Sequence, residues 1–336
     1  MHKSLKRFIV FIILIAASGS MLKLFTASVD EEAEATEFSN EFKDDYHVYA
    51  LPLPATIDFA GESAPMKLID VSEKLDRELL VNTYWQSQTM LFIKRSNRWF
   101  PVIEPILKEE GVPDDFKYLA LIESGFQQIV SPAGATGFWQ LMKAAAKENG
   151  LEVNGAIDER YHVEKSTRAA CAYLKKAKEK FGSWTLAAAS YNMGMAGLEN
   201  QMERQVATNY YDLVLNEETS RYVFRILAAK LIIANPSSYG FVFREQDLYP
   251  ELKYSELNVN TTVKNLPDFA FKQGINYKAL KFLNPWLRDD YLPNDSNREY
   301  ILQIPTKALS EVLVNDKKQV ATFTRENRDE GDNKSE

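Results

Sequence analysis

The sequence predicts a mainly α-helical protein with a small α+β unit at its C-terminal end. Between residue 71 and about residue 243, apolar residues recur at helical spacing in segments that Gly, Asn or Pro interrupt. No convincing run of alternating strand residues precedes Phe241, and after Pro250 the order changes to strand, helix, helix and strand. Hydrophobic residues make up 45% of the 336 positions and charged residues 26%, so the chain can form a well-buried core.

The individual helices follow from this spacing. Two helices are predicted across residues 71–110, and a Gly and a Pro stop the second. A carboxylate at Asp114 or Asp115 can cap the next helix, which carries Glu123. Further helices are predicted over residues 143–149, 165–181, 183–193 and 217–234. In the C-terminal unit, strands are predicted over residues 261–263 and 300–304, and helices over residues 268–272 and 277–282.

Residues 1–29 have the order of an export segment. Basic residues up to Arg7 precede an apolar run over 8–17, and small residues follow it. Because that run is only about ten residues long, a cleaved signal peptide is favoured, and an uncleaved N-terminal anchor with membrane association is the alternative. Cys171 is the only cysteine, which excludes an internal disulfide and disfavours a lipid-attached N-terminus. We expect an exported, periplasmic or envelope-associated monomer.

Charge separates the remaining segments. The segment 30–70 begins with many Asp and Glu residues, which predicts a solvated acidic linker. The charged segment 309–336 is predicted to be a disordered tail. The helical domain is therefore predicted to span 71–245. The formal net charge of -7 excludes a global basic field, so nucleic acid is not an expected partner. A neutral or mixed-charge polymer suits this balance better.

Glu123 is the residue of the helical region that is best suited to proton transfer. Phe116, Leu119 and Ala120 share one helical face with it, and the other face is also nonpolar, so its carboxyl lies near the end of a buried helix. Burial and the negative end of the helix dipole both raise the pKa of such a carboxyl. The alternative is an ordinary helix-end residue that reaches solvent or pairs with Lys or Arg, and this helix alone does not decide between the two.

Four short blocks then occur in a fixed order, namely Glu123-Ser124, Gly137-x-x-Gln140, Ala189-x-Tyr191-Asn192 and Tyr222. Together they resemble the lytic transglycosylase family, whose catalytic domain has a lysozyme-like helical fold, over residues 114–234. The resemblance implies a catalytic core at about 95–240 and Glu123 as its general acid and then base. It also implies a glycan cleft lined by Ser124, Ser131, Gln140, Met142, Tyr191, Asn192 and Tyr222.

Two positions depart from the common pattern of the family. Many soluble relatives have Met at the position of Trp139, and in this respect the sequence resembles the membrane-bound D-type subgroup. Ser190 stands where the family frequently has Ala. The amides of Gln140 and Asn192 can hydrogen-bond the acetamido groups of amino sugars, and aromatic rings can stack on pyranose faces. Trp139 and Tyr191 are equally consistent with core aromatics.

The resemblance also implies a reaction. The substrate is peptidoglycan, cut at the β-1,4 bond between N-acetylmuramic acid and N-acetylglucosamine, and the 6-hydroxyl of the same sugar closes a 1,6-anhydro ring. One carboxylate suffices, and Asp158, Glu159 and Arg160 are best explained as structural ion pairs. No metal or cofactor is expected, because the three His and the one Cys are dispersed. Two alternatives stay open: a lysozyme-like hydrolase, which needs a water-positioning acid, and a noncatalytic wall-binding protein.

Residues 250–308 resemble a divergent LysM module, a small glycan-binding fold. The resemblance rests on a helix that opens at Asp268, on breaks at Gly274 and Asn284-Pro285, and on a last strand that ends at Pro305. The usual Gly-Asp-Thr opening is missing. A glycan-binding module and a structural cap on the helical domain are both consistent with this sequence.

Overall fold

The computed structural model of the chain describes residues 48–306. The chain divides into the units Met1–Ala50 and Leu51–Glu336, and only residues 48–50 of the first are described; they form no regular element. The predicted export segment, the acidic stretch before residue 46 and the predicted tail lie outside the described residues. No helix within residues 48–306 is both long enough and apolar enough to cross a membrane.

The described residues of the second unit form ten α-helices and four short strands. The helices are α1 (Ile69–Tyr84), α2 (Gln86–Glu109), α3 (Phe116–Ser124), α4 (Lys143–Glu148), α5 (Val163–Phe181), α6 (Trp184–Met193), α7 (Met195–Gln205), α8 (Glu217–Ala234), α9 (Leu266–Lys272) and α10 (Tyr277–Leu283). The strands are β1 (Asp58–Phe59), β2 (Glu62–Ser63), β3 (Tyr254–Val259) and β4 (Tyr300–Pro305), paired antiparallel as β1 with β2 and β3 with β4. The predicted fold class, mainly α with a small α+β unit, is confirmed.

The β1–β2 hairpin lies inside the segment that the sequence assigned to a linker. Ile57, Phe59 and Ala64 are buried in the main core, and the Phe59 ring packs edge-to-face on Phe116 with centroids 5.1 Å apart. Strands of two residues are too short to give an alternating pattern, so this segment carried no readable signal. The linker prediction is therefore wrong for the hairpin, and the ordered fold begins before α1.

Helix α3 is buried on every side. All of its residues except Glu123 are buried, and Gly125 ends the helix in the left-handed region at φ 58°. A Cβ at position 125 would lie 2.8 Å from the Phe92 ring, so both the turn and the close approach require glycine. The early stop places Glu123 in the last turn of the helix.

The predicted N-terminal cap of α3 is wrong. Asp115 occupies the cap position, but its side chain makes no capping hydrogen bond. Its Oδ2 instead accepts from the backbone N–H of Ala60 at 2.7 Å and from Lys230 Nζ at 2.8 Å, while Asp114 pairs with Lys117. The Asp115 carboxylate thus ties α3 to the hairpin and to α8, because distant partners compete successfully with the local cap.

Helix α7 has no counterpart among the predicted helices. Leu198 is its only buried residue, so the segment lacks the apolar repeat by which an amphipathic helix is recognised. The other helices of the large core match their predictions within two residues, and the predicted bounds of α8 are those observed.

The small α+β unit has the predicted order of elements with one displacement. Its first strand is β3, Tyr254–Val259, and not residues 261–263, where only Val263 forms a bridge, with Leu292. Most side chains of β3 are exposed or half-buried, so the strand shows no clean alternation in the sequence. Helices α9 and α10 and strand β4 lie where they were predicted.

The small unit packs directly against the helical part. Ile157 forms an isolated antiparallel bridge with Leu287, and the Asp158 N–H donates to the Trp286 carbonyl at 2.9 Å. Ile157 and Tyr161 precede α5 in the chain, yet both are buried in the core of the small unit. We call this contact region the seam. Its packing is consistent with the structural-cap interpretation that the sequence left open.

Candidate active site

Glu123 is the carboxyl group that α3 presents in its last turn. It is partly exposed, whereas every other residue of α3 is buried. Burial raises the pKa of Glu123, the hydrogen bond from Tyr222 and the charge of Arg225 lower it, and the charge of Glu218 raises it further. The net direction is upward, which confirms the predicted rise. Glu123 therefore holds its proton to a higher pH than an ordinary Glu.

Tyr222 fixes one oxygen of this carboxyl. Its hydroxyl, on the buried side of α8, donates to Glu123 Oε1. Burial and the charge of Glu123 raise the pKa of Tyr222 well above its ordinary value, so the phenol remains a donor. Glu123 Oε2 has no hydrogen-bond partner among residues 48–306. The carboxyl proton is therefore directed to Oε2, the oxygen left for a substrate.

A second carboxylate, Glu218, lies near Glu123. Its charge raises the pKa of Glu123, and its Oε1 accepts from Asn192 Nδ2 at 2.9 Å. Asn192 is held in turn by Thr219, whose Oγ1 donates to Asn192 Oδ1 at 2.7 Å. Glu218 is not among the site residues predicted from the sequence. The available signal was its position one helical turn before Tyr222 on α8.

The two aromatic candidates, Trp139 and Tyr191, differ in burial. Trp139 is fully buried, and its Nε1 donates to Thr167 Oγ1 at 2.9 Å, so it is a core aromatic. Tyr191 is half-buried, and its hydroxyl donates to the Trp139 carbonyl at 2.7 Å. Burial and then the charge of Glu123 raise the pKa of Tyr191, so its phenol lies within electrostatic range of the carboxyl.

Gln140 lies in a tight turn of the loop that follows α3. Its backbone has φ 46°, and its Nε2 donates to the carbonyls of Gly137 at 2.9 Å and Ile129 at 3.2 Å. The amide nitrogen is thus used within the loop, whereas Oε1 has no partner in the described part of the chain. Gln140 can offer an acceptor to an amide N–H of a ligand.

The same loop is fastened by an ion pair. Arg160 pairs with Asp158 at 2.7 Å and donates from Nη1 to the Gly134 carbonyl at 2.9 Å. A Cβ on Gly137 would lie 2.1 Å from the Arg160 carbonyl oxygen, so glycine is needed for this close approach. The predicted structural role of the Asp158–Arg160 pair is confirmed, as is the pairing of Glu159, which contacts Lys165.

The remaining three predicted residues contribute unequally. Ser124 is buried, and its Oγ donates to the Phe138 carbonyl at 2.9 Å and accepts from the Phe126 N–H at 3.1 Å, so we assign it a structural role in place of the predicted glycan contact. Ser131 Oγ accepts a loop N–H at 3.1 Å. Met142 is 47% exposed and is the one of the three with an open side chain.

The arrangement can perform acid–base chemistry. Tyr222 hydrogen-bonds Glu123, and the charge of Glu123 acts on Tyr191. Glu218 acts on Glu123 by its charge and brings in Asn192 by a hydrogen bond. Within the described residues, no group of three or more His, Cys, Asp or Glu side chains could hold a metal ion. The expectation of no metal and no cofactor remains a prediction.

Comparison with known proteins agrees with this geometry. The model of the transglycosylase SLT domain matches residues 100–214, and that of the soluble lytic transglycosylase C-terminal LysM-like domain matches residues 255–308. The first match contains Glu123, Gln140, Tyr191 and Asn192 and ends before Tyr222. These matches and the fold define the class: a lysozyme-like helical domain followed by a LysM-like module.

Two curated relatives extend the comparison over most of the chain. The membrane-bound lytic murein transglycosylase D of Escherichia coli K12 and its counterpart from strain O6:H1 are each 28% identical over 258 residues. The match covers 74% of this chain and 55% of each relative, so the chain spans about half the length of the curated relatives it matches. Over residues 100–214 and 255–308 the chain therefore has the two domain types of lytic transglycosylases.

Proposed function

We propose that this protein is an exported lytic transglycosylase that cuts peptidoglycan in the cell envelope. One observation carries the proposal: Glu123 is a carboxyl with a raised pKa whose Oε1 is held by Tyr222 and whose Oε2 is open. The match to the transglycosylase SLT domain supports the substrate. The name of the Escherichia coli relatives, membrane-bound lytic murein transglycosylase D, supports the envelope location.

In the proposed reaction one carboxyl moves both protons. Glu123 Oε2 donates its proton to the glycosidic oxygen, and the bond between that oxygen and C1 of N-acetylmuramic acid breaks, releasing N-acetylglucosamine with a free 4-hydroxyl. The Glu123 carboxylate then takes the proton of the 6-hydroxyl of the same muramic residue, whose oxygen attacks C1 and closes the 1,6-anhydro ring. Because the 6-hydroxyl supplies the oxygen of the new bond to C1, no water is consumed, and its proton restores the acid form of Glu123.

The neighbouring residues serve this reaction in different ways. Gln140 offers its free Oε1 to an acetamido N–H, and Tyr191 and the exposed Met142 provide apolar surface for sugar faces. Asn192 positions Glu218, since both ends of its amide are already engaged. Tyr222 is a positioning residue for the Glu123 carboxyl.

Glu218 favours a second candidate function, hydrolysis by a lysozyme-like enzyme. Hydrolases of glycans use two carboxylates, one to protonate the leaving oxygen and one to activate water or stabilise C1. Glu218 is exposed, is held by Asn192 and acts electrostatically on Glu123. The two functions differ in their products, because hydrolysis leaves a reducing sugar and transglycosylation leaves a 1,6-anhydro sugar.

The proposal is tested by digesting purified peptidoglycan sacculi with the wild-type protein and the Glu123→Gln variant. We expect the wild type to release 1,6-anhydro-muropeptides and the variant to be slower by about three orders of magnitude, because the amide cannot donate and recover a proton. Products are identified by mass spectrometry. Glu203→Gln, an exposed position on α7 with no described side-chain partner, is the matched control and should keep full activity.

Three results would go against the proposal. Wild-type rates in Glu123→Gln would remove Glu123 from the mechanism. Reducing ends without anhydro ends would favour the hydrolase. Tight binding of sacculi by the wild type without any soluble product would favour a noncatalytic wall-binding protein.

A further inference from the structure

A cavity of about 740 Å³ lies in the seam, between the helical part and the LysM-like unit. Its walls come from α2, from the loop after α3, from the start of α5 and from β3, α10 and β4. Its volume lies within the roughly 300–1,000 Å³ of small-ligand sites. Exposed residues at its edge, such as Lys253 and Phe282, leave it open to solvent.

Four cationic side chains line this cavity, and none of them forms an ion pair with a carboxylate of the described residues. Arg95 Nη1 donates to the Gly125 carbonyl at 3.0 Å, Arg98 Nε donates to the Pro250 carbonyl at 2.9 Å, and Lys281 donates to two backbone carbonyls. Lys253 has no described side-chain partner. Neutral backbone carbonyls are thus the hydrogen-bond partners of Arg95, Arg98 and Lys281. The charges of Asp289 and Asp290 act on Lys281 from outside ion-pairing distance.

Two acidic residues also line the cavity, and one of them is held by neighbouring side chains. Glu164 Oε2 lies 3.0 Å from His162 Nδ1, and Glu164 Oε1 accepts from Gln303 Nε2 at 2.8 Å. Glu251 is exposed at the edge. The lining therefore carries four cationic and two acidic side chains, a formal excess of positive charge in a chain whose formal net charge is -7.

Aromatic rings complete the lining. Trp99 and Tyr249 face the cavity from the helical part, where the Arg98 guanidinium lies 5.2 Å from the Tyr249 ring centroid. Trp286 faces it from the LysM-like unit and stacks on His162 with centroids 5.9 Å apart. Burial lowers the pKa of Arg98 even though Tyr249 opposes this effect, so the guanidinium is partly dehydrated before any ligand arrives.

We propose that the seam cavity binds the carboxylate-bearing stem peptide of peptidoglycan, next to a glycan strand held at Glu123. The identity of this occupant rests on the proposed function. The positive side chains of the cavity favour the stem peptide over the glycan strand. The lactyl carboxyl groups of the glycan strand are used in amide bonds to the peptides, whereas the stem peptide has free carboxylates. The cavity arginines and lysines, which form no ion pair with a described carboxylate, therefore suit the peptide.

The cavity also borders the catalytic helix. Arg95 reaches from the cavity wall to the carbonyl of Gly125, the residue that ends α3 two positions after Glu123. Phe126 and Gln128, which follow that turn, line the cavity as well. A peptide bound here is therefore anchored against the same turn that fixes the catalytic carboxyl.

Calorimetric titration of the full chain with the free tetrapeptide L-Ala-γ-D-Glu-meso-diaminopimelate-D-Ala tests this site. In Arg98→Gln we expect the Kd to rise about tenfold, and in the exposed Lys253→Gln about threefold, since each loses one charged contact. Lys278→Gln, an exposed lysine of α10 outside the cavity, is the matched control and should bind like the wild type. Circular dichroism confirms that each variant is folded.

Two further probes decide the chemistry. The same tetrapeptide with its carboxyl groups amidated should bind at least about tenfold more weakly, because it offers no anion to the unpaired cations. Chitotetraose, which has sugars and no peptide, should leave peptide binding unchanged. Equal binding of the amidated peptide, displacement by chitotetraose, or an unchanged Kd in both cavity variants overturns the proposal.

This test is independent of catalysis. Peptide binding is measured without turnover, so a protein that digests sacculi normally and ignores the peptide refutes the cavity assignment alone. A protein that binds the peptide through Arg98 and Lys253 but releases no anhydro product refutes the proposed reaction and leaves the peptide site in place.

Discussion

At the scale of single residues, three side chains act on Glu123 in opposite directions. Burial and the charge of Glu218 raise its pKa, while the hydrogen bond from Tyr222 and the charge of Arg225 lower it. Arg225 also donates from Nη2 to the Ile122 carbonyl at 3.0 Å, which holds it beside the last turn of α3. We therefore expect the pKa of Glu123 to change measurably when Glu218 or Tyr222 is replaced.

The alkaline limb of the pH–rate profile reports this tuning, because activity is lost when the acid deprotonates. In Glu218→Gln a neighbouring negative charge disappears, so the pKa of Glu123 falls and the limb moves to lower pH. In Tyr222→Phe a hydrogen bond to the ionised form disappears, so the pKa rises and the limb moves to higher pH. The Tyr222→Phe rate should also drop about 10- to 100-fold, since Oε1 is no longer held.

The measurement is kcat against pH on solubilised glycan strands, with Glu203→Gln as the matched carboxylate control. Limbs that shift in the same direction for both variants would be inconsistent with the described electrostatics. An unchanged limb for Glu218→Gln would mean that this carboxylate does not act on Glu123.

The position of Glu123 near the end of a buried helix could be predicted from the sequence, but the contacts of its neighbours could not. Glu123 could be singled out because it lies on an apolar helix and also in the first of the four ordered motif blocks. Ser124 lies in the same motif and turns inward, since its hydroxyl has two internal partners that no local pattern encodes. The position of Glu218 one helical turn before Tyr222 was a signal in the sequence, but its electrostatic effect on Glu123 depends on how α3 and α8 pack.

At the scale of elements, the β1–β2 hairpin fixes the helix that carries Tyr191 and Asn192. Glu62 on β2 places its carboxylate at the first turn of α6, where it accepts from the backbone N–H groups of Trp184 at 2.6 Å and Thr185 at 2.9 Å. It also accepts from the Ser183 hydroxyl at 2.7 Å. A carboxylate from another element thus satisfies amides that would otherwise be unpaired at the helix start.

Partial burial opposes ionisation of Glu62, but the hydrogen bonds from Ser183, Thr185 and Trp184 outweigh it and hold its pKa at about 2. A lowered pKa means that the folded state binds fewer protons than the unfolded one, so the contribution of Glu62 is present above its ordinary value of 4.5 and is lost as pH falls toward about 2. Glu62→Ala should lower the free energy of unfolding by about 2 kcal/mol at pH 7.

Urea unfolding at pH 7 and at pH 3 measures this contribution. The difference between wild type and Glu62→Ala should shrink at pH 3, and Glu203→Ala should cost little at either pH. A difference that is constant with pH would show that the ionised carboxylate is not what stabilises α6.

The hairpin shows which elements sequence patterns miss. Long amphipathic helices such as α5 and α8 were predicted nearly to the residue, because their apolar repeat extends over several turns. The two-residue strands, the exposed α7 and the mostly exposed β3 carry no repeat, and their positions follow from contacts made far along the chain.

At the scale of the whole molecule, the LysM-like unit and the helical part share a core at the seam. Ile157 is fully buried among residues of the small unit and bridges to Leu287. Glu152 adds to the contact by accepting from the Tyr300 hydroxyl and from Arg298 Nη1 at 2.9 and 3.0 Å. Shared burial of this kind couples the unfolding of the two parts.

Calorimetry should therefore give one unfolding transition for residues of both parts. Ile157→Ala should lower the free energy of unfolding by about 3 kcal/mol and move the whole transition, because it leaves a cavity in the shared core. Two separate transitions in the wild type, or a shift confined to a small early transition in the variant, would indicate that the LysM-like unit unfolds alone.

The intramolecular reaction at Glu123 is tested most directly by digesting sacculi in water enriched in ¹⁸O and weighing the released muropeptides. If the 6-hydroxyl of the muramic residue is the attacking group, the products are 1,6-anhydro sugars without label, because no water oxygen enters the new bond. Reducing muramic ends that carry ¹⁸O would mean that water attacks C1, and the assignment of Glu123 to a transglycosylase reaction would be contradicted.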